Sequence, residues 1–224
     1  TGRIKFDLRR EGQWQLALEA SQMRWLLGAS SPLTEVSLKG SLAAEGLRFV
    51  ELAATTLAGE LTGDGLLSWR EGWRLSARLA ARHINVAKLA RGWVSDGLAA
   101  GTGTLIAAAG DPRELLSRGT MAGSFEMGRG ELVGVDLDRV LQQRGSSGEF
   151  RFESLAGDFA VEAKRVELSR LRLQAPSLKA GGELGFDAQG TARGRLTVEA
   201  LASGPRRTAN LTLGGSLATP NYQR

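Results

Sequence analysis

Apolar residues recur at every second position through most of this chain, and that period constrains the fold more than any other feature. Ile4, Phe6 and Leu8 alternate with Lys5, Asp7 and Arg9; Trp14, Leu16 and Leu18 alternate with Gln15, Ala17 and Glu19. The pattern returns at Trp73, Leu75, Ala77 and Leu79, at Phe150 and Phe152, at Val166 and Leu168, and at Leu171 and Leu173. It closes with Leu196 and Val198, then Leu211 and Leu213. Successive side chains of a strand point to opposite faces, so period two means strands with one apolar and one polar face. Glycine and polar residues punctuate the segments, which reads as antiparallel strands in hairpin succession.

Three stretches break the period. Asp111-Pro112-Arg113-Glu114-Leu115-Leu116 has a capping acid, proline at the first helical position and Gly119 beyond its end. Asp136-Leu137-Asp138-Arg139-Val140-Leu141 puts Leu137, Val140 and Leu141 on one helical side, with Gly145 closing it. Asn85 caps a shorter third segment, Val86 to Ala90. The expected fold is mostly β: a curved antiparallel sheet of repeated hairpins with an apolar concave face and two or three short helices.

A pentad of apolar-x-Gly-polar-apolar recurs at Leu38–Leu42, Leu57–Leu61, Met121–Phe125, Leu155–Phe159 and Leu213–Leu217. In a strand its glycine shares a face with two apolar neighbours. Glycine there marks either a bend or bulge where another chain segment comes close, or simply a hairpin turn. The irregular spacing makes a loose array rather than a solenoid.

Composition narrows function by exclusion. With no cysteine and one histidine, His83, in 224 residues, a disulfide framework, a thiolate metal site and a paired-histidine metal site are all ruled out. No apolar run is long enough to span a bilayer as a helix. Net charge is +5, but the basic residues are dispersed among acids, with adjacent pairs only at Arg9-Arg10, Lys164-Arg165 and Arg206-Arg207. That dispersal argues against nucleic acid as a partner. The chain begins at Thr1 without a signal-peptide pattern, which reads as a portion excised from a longer protein.

Catalytic constellations are thin. Asp136 and Asp138 fit a helix start, where carboxylates are favoured by the helix dipole. His83 reads as a surface or edge residue. Gly101-Thr102-Gly103 lacks the lysine of a phosphate loop and reads as a turn. Trp14, Trp69, Trp73 and Trp93 could stack on bases or sugars, but Trp14, Trp69 and Trp73 at strand spacing read as core anchors. No catalytic residue, metal or cofactor is expected.

From Thr120 the motifs form an ordered series. Thr120-Met121-Ala122-Gly123-Ser124-Phe125 is followed by Gly130-Glu131-Leu132-Val133-Gly134-Val135-Asp136-Leu137. Then come Gly148 to Phe159, Val166-Glu167-Leu168, Leu171-Arg172-Leu173, Ala175 to Gly182, and Gly215-Ser216-Leu217-Ala218-Thr219-Pro220. In order and spacing this series resembles the C-terminal region of the AsmA family of bacterial envelope proteins, over about the last hundred residues. Residues 1–119 resemble the looser strand-rich part upstream, so 1–119 and 120–224 are expected as two parts of one continuous sheet. Where the family often has Asp-Gly, this chain has Ala163-Lys164 and Met127-Gly128, so those hairpin turns are expected to be built differently.

The resemblance implies a periplasmic segment of an inner-membrane-anchored protein in outer-membrane biogenesis, related to TamB- and YhdP-like bridge-like lipid transfer proteins. Its implied partner is a phospholipid or other acyl-chain lipid, with other envelope proteins possible and membrane contact made through parts outside this segment. Burying acyl chains yields about 0.8 kcal/mol per methylene, so an apolar trough holds lipid without polar chemistry. Phe150, Phe152, Phe159, Val161, Val166, Leu168, Leu171, Leu173, Leu178 and Leu184 share the apolar parity and are the expected lining, with Gly157 and Gly182 leaving room and Arg151 on the opposite face. Leu115, Leu116, Leu137, Val140 and Leu141 are too apolar to expose and are the expected helical plug. The alternatives are a filled core on that face and a structural or protein-docking β module without lipid.

Overall fold

The structure, a computed structural model, describes residues 4–11, 13–21, 34–56, 59–201, 207–216 and 218–223. Leu57, Ala58, Arg206 and Leu217, named above, lie outside the described residues. The strands are β1 (Ile4–Glu11), β2 (Gln13–Ala20), β3 (Thr34–Ala43), β4 (Gly46–Thr56), β5 (Gly59–Ser68), β6 (Trp73–Asn85), β7 (Val94–Ala109) and β8 (Thr120–Val133). They continue as β9 (Glu149–Phe152), β10 (Ser154–Glu162), β11 (Arg165–Gln174), β12 (Leu178–Phe186), β13 (Ala192–Ala200), β14 (Thr208–Gly215) and β15 (Pro220–Gln223). The helices are α1 (Val86–Leu89) and α2 (Leu137–Leu141), with a single 3-10 turn at Leu116–Arg118.

Strand order follows chain order in one sheet, except that β9 pairs only with β8 and β10 takes the next place. The ladder does not close, having β1 and β15 at its two ends. Its strands fall into two compact units: residues 1–84 with 101–123, and residues 85–100 with 124–224. The division therefore runs through β7 and β8, whereas the motif series alone suggested a boundary at 119/120.

Strand glycines prove to be sites of close approach. Gly40, Gly123, Gly157 and Gly182 lie inside β3, β8, β10 and β12, not at turns. A methyl on Gly123 would stand 2.6 Å from the Gly103 Cα and overlap the Thr102 carbonyl. This corrects the turn expected at Gly101-Thr102-Gly103, which lies in the middle of β7. Two glycines twenty positions apart let the strands press together. Met127-Gly128 is likewise no turn but mid-β8.

Bulges explain where the apolar parity shifts. Leu168 and Leu171 cannot share a face in a regular strand, yet β11 pairs them with Leu184 and Gly182 of β12 across a register shift. The extra residue is absorbed at Ser169-Arg170, with Arg170 at φ 50°. The β10–β11 hairpin turns at Ala163 (φ 46°) and Lys164 (φ 67°), between the paired Glu162 and Arg165. Positive φ at both turn residues is the primed geometry that usually takes Asn-Gly or Asp-Gly.

Of the three expected helices, the one at Asp111 is corrected. Asp111 Oδ1 accepts from the Arg113 amide at 2.8 Å and its carbonyl from the Glu114 amide at 3.1 Å, but only a turn and the 3-10 segment follow. There the Leu115 and Gly119 amides bond carbonyls three residues back, the tighter 3-10 pattern. Asn85 does cap α1, accepting from the Lys88 amide at 3.2 Å. Asp136 caps α2, which ends at Gln142 and the left-handed Gln143 (φ 59°), before Gly145.

Two predictions follow from this backbone. Gly123→Ala should cost about 1–3 kcal/mol in chemical denaturation by overpacking, whereas Gly128→Ala in the same strand, with open space around it, should change stability by no more than about 0.5 kcal/mol. Lys164→Gly should stabilise by about 0.5–1 kcal/mol by relieving a left-handed non-glycine residue.

Candidate functional site

In the unit of residues 85–100 and 124–224, the expected lining residues are largely covered by protein. Phe150, Phe152, Leu171, Leu173, Leu178 and Leu184 are buried in one cluster, and Val166 and Leu168 pack half-buried against it. Phe159 and Val161 are half-buried and stand outside that cluster, opposite Leu168 and Val166 in the register. Helix α2 packs into the same cluster beside β13 and β14, contributing Leu137, Val140 and Leu141, together with Trp93, Met127 and Val135. Asp136 Oδ1 fixes the helix start by accepting from the Asp138 and Arg139 amides at 3.0 and 3.1 Å. Ser177 Oγ donates to Asp138 Oδ1 at 2.8 Å, a tether the sequence did not announce.

The room expected at Gly157 and Gly182 is taken. A Cβ on Gly157 would lie 2.9 Å from Leu171 Cδ2, and one on Gly182 would lie 3.0 Å from the Leu196 Cα. These glycines admit neighbouring protein rather than a ligand. Leu115 is buried and Leu116 half-buried, but in the other unit, where Leu116 packs against Phe49, Ala77, Leu79 and Leu105.

Two aromatic residues tie the far strands of this unit to its first ones. Trp93 Nε1 donates to the Ser216 carbonyl at 2.9 Å, and the Tyr222 hydroxyl donates to the Val133 carbonyl at 3.0 Å. The Trp93 ring lies edge-on to Phe186 and Tyr222, each at 5.6 Å between centroids. Among the tryptophans, Trp93 is thus a core anchor, while Trp14 is exposed and Trp69 and Trp73 are half-buried and tilted together at 5.6 Å. Trp14 corrects the expectation of burial, because among the described residues nothing packs over that part of β2. The alternation of Pro220 and Tyr222 was the one available signal for the tyrosine.

The polar face carries cross-strand ion pairs between directly opposed residues: Lys39–Glu51 (3.0 Å), Asp64–Arg78 (2.8 Å), Glu131–Arg151 (3.0 Å) and Lys179–Glu199 (3.1 Å). Asp158 and Arg170 pair as well. Such exposed pairs are individually weak, but they mark this face as the solvated one. The Ser95 hydroxyl first, then Arg151, hold the Glu131 carboxyl below its ordinary pKa. Its contribution is therefore present above about pH 4.5 and lost as pH falls.

The unit of residues 1–84 and 101–123 differs. Its apolar face holds two small clusters, one around Ala20, Val36 and Ala54 and one around Phe49, Ala77, Leu79 and Leu105. Register carries the same face onward: Val36 and Leu38 oppose Ala20 and Leu18, which oppose Ile4 and Phe6. There the cover ends. Ile4 is 67% exposed, Phe6 71%, Leu8 39% and Trp14 44%. An open hollow of about 360 Å³ at the Ile4 end of these strands is lined by Lys5, Glu19, Ala20, Ser21, Glu35, Val36 and Ser37, with charged side chains beside the apolar Ala20 and Val36.

His83 is exposed, with φ 56°, and no group of three His, Cys, Asp or Glu that could hold a metal occurs among the described residues. What the fold and its faces define is a class: a sheet-built β protein with an apolar face, covered by a helix in one unit and bare at β1–β2 in the other. No family model matches the chain, and neither a curated protein nor a solved structure matches it.

Burial raises the Tyr222 hydroxyl pKa above its ordinary value near 10. A folded pKa above the unfolded one gives stability that is complete below pH 10 and lost as pH rises through the folded value. Denaturation midpoints should therefore fall above pH 10 in the native protein. Tyr222→Phe should start about 1 kcal/mol lower at neutral pH, from the lost hydrogen bond, and show a shallower alkaline decline.

Proposed function

We propose that this chain is a lipid-handling segment of an AsmA-like envelope protein, contacting acyl chains along the bare apolar face of β1 and β2. The observation that carries this reading is the exposed row Ile4, Phe6, Leu8 and Trp14, continuous by register with a buried apolar face. Contiguous apolar surface of that kind commonly marks contact with an apolar partner. The ordered motifs from Thr120 to Pro220 support its setting: the periplasm, within an inner-membrane-anchored protein serving outer-membrane biogenesis. No catalytic step is assigned to it.

A structural role fits the other unit better than lipid contact does. There Phe150, Phe152, Leu171, Leu173, Leu178 and Leu184 are buried in one cluster with Leu137, Val140 and Leu141 of α2. In this reading the filled unit acts as a stable module and the bare strands meet lipid.

Dioctanoyl phosphatidylcholine, kept below its micellar concentration, tests the proposal by equilibrium dialysis. Phe6→Glu should weaken binding roughly tenfold by removing the burial of one phenylalanine side chain. Lys5→Gln, on the opposite face, should leave binding unchanged. Because Phe6 is exposed, both variants should melt with the native protein. Absence of binding to the native protein, or equal binding by the two folded variants, would overturn the proposal.

A further inference from the structure

The bare row on β1 ends in a charge. Pairing of β1 with β2 runs without a register shift from Ile4↔Ala20 to Glu11↔Gln13, so Arg10 shares a face with Ile4, Phe6 and Leu8. Its guanidinium lies 5.8 Å from the centroid of the Trp14 ring, the residue directly opposite it. Arg9, by contrast, projects to the other face and is paired with Asp7 at 2.7 Å. No carboxylate among the described residues pairs with Arg10. Arg10 is exposed, so its guanidinium is open to an anionic group on this face, and the indole beside it orients the planar fork.

The dimensions indicate what that counter-ion belongs to. From Ile4 to Leu8 the strand rises about 14 Å at roughly 3.4 Å per residue. One leaflet of a bilayer's hydrocarbon core is about 15 Å deep, half of the roughly 30 Å total. An acyl chain laid along Leu8, Phe6 and Ile4 therefore brings its head group to Arg10 and Trp14, one alternate position further on. Tryptophan suits that level, where one end of the ring is apolar and the other wet.

We infer that Arg10, held against Trp14, is a head-group site for the phosphate of a single anionic phospholipid whose acyl chain lies along Ile4, Phe6 and Leu8. This rests on the acyl-contact reading above and adds to it a preference among lipids. Arginine meets the phosphate through two parallel N–H···O bonds, and a lipid with net negative charge gains more from it than a zwitterionic one. Because the site is exposed, the gain is screened by salt.

The test compares dioctanoyl phosphatidylglycerol with dioctanoyl phosphatidylcholine, both below micellar concentration, by equilibrium dialysis at low salt. The native protein should bind the anionic lipid about fivefold more tightly, a modest share of what a charge-assisted pair yields when desolvated. Arg10→Gln should bring the ratio to about one, with the larger loss falling on phosphatidylglycerol. Inorganic phosphate at matched ionic strength should not abolish the preference, since the acyl chain and head group bind together. A ratio of one in the native protein, a preference that survives Arg10→Gln, or its abolition by phosphate would overturn this inference and leave the acyl-contact reading standing. Failure to bind either lipid, or binding only to vesicles of them, would sink both.

Discussion

A single-layer sheet has two faces, and in this sequence only one of them is polar. Everything else in the structure depends on what becomes of the other. Hydrogen bonding along the ladder satisfies the backbone but buries few side chains. Apolar burial at about 25 cal/mol per Å² must come from whatever lies against the apolar face. In the unit of residues 85–100 and 124–224 that cover is α2 together with Trp93. Leu137, Leu178 and Val198 are consequently fully buried, and Val135, Val140 and Leu211 nearly so. In the other unit the clusters are small, and the cover ends before β1 and β2.

The sheet can wrap its own apolar side only if neighbouring strands come unusually close or change register locally. Glycine serves the first need at Gly123 against Gly103, and at Gly40, where a Cβ would stand 2.8 Å from the Phe49 Cα. Bulges serve the second at Ser169-Arg170 of β11 and at Val50 of β4, opposite Lys39-Gly40. The bulges also increase local twist. The recurrent pentads are thus a record of strand crowding, and the ion pairs on the opposite face line up because that face retains direct cross-strand opposition.

Much of this was legible because strand parity is local. Alternation placed β1, β2, β6, β11, β13 and β14, and the capping acid at Asp136 placed α2 with Leu137, Val140 and Leu141 inward. The misreadings share one cause, since each turned on a partner distant in sequence. Gly101-Thr102-Gly103 looks like a turn until Gly123 is set beside it. Asp111-Pro112 looks like a helix start until the two strand ends it must join are known. For the site, parity identified which residues share a face but not what lies over that face. Phe150, Phe152 and Leu178 share one buried cluster, while Ile4, Phe6 and Trp14, which alternate in the same way, are the ones left bare. Ser177 and Tyr222 hold groups 39 and 89 positions away, respectively, and no period reports such pairs.

The contrast between the two faces also bears on how acyl contact and stability can coexist in one chain. A face that both supplies the core and receives lipid would have to give up core packing each time it loaded. At 2–5 kcal/mol for each large buried side chain left facing a void, that loss would consume most of a domain's marginal stability. Here the two demands fall on different residues. The interior around α2 is closed by side-chain bonds from Trp93 and Tyr222 and has no need to open. The row on β1 contributes little to the core, since Ile4 and Phe6 remain mostly exposed. Under the proposed acyl contact, loading and unloading of that row would cost folding little. A charged residue such as Arg10 is tolerated there for the same reason, because its exposed guanidinium keeps its water.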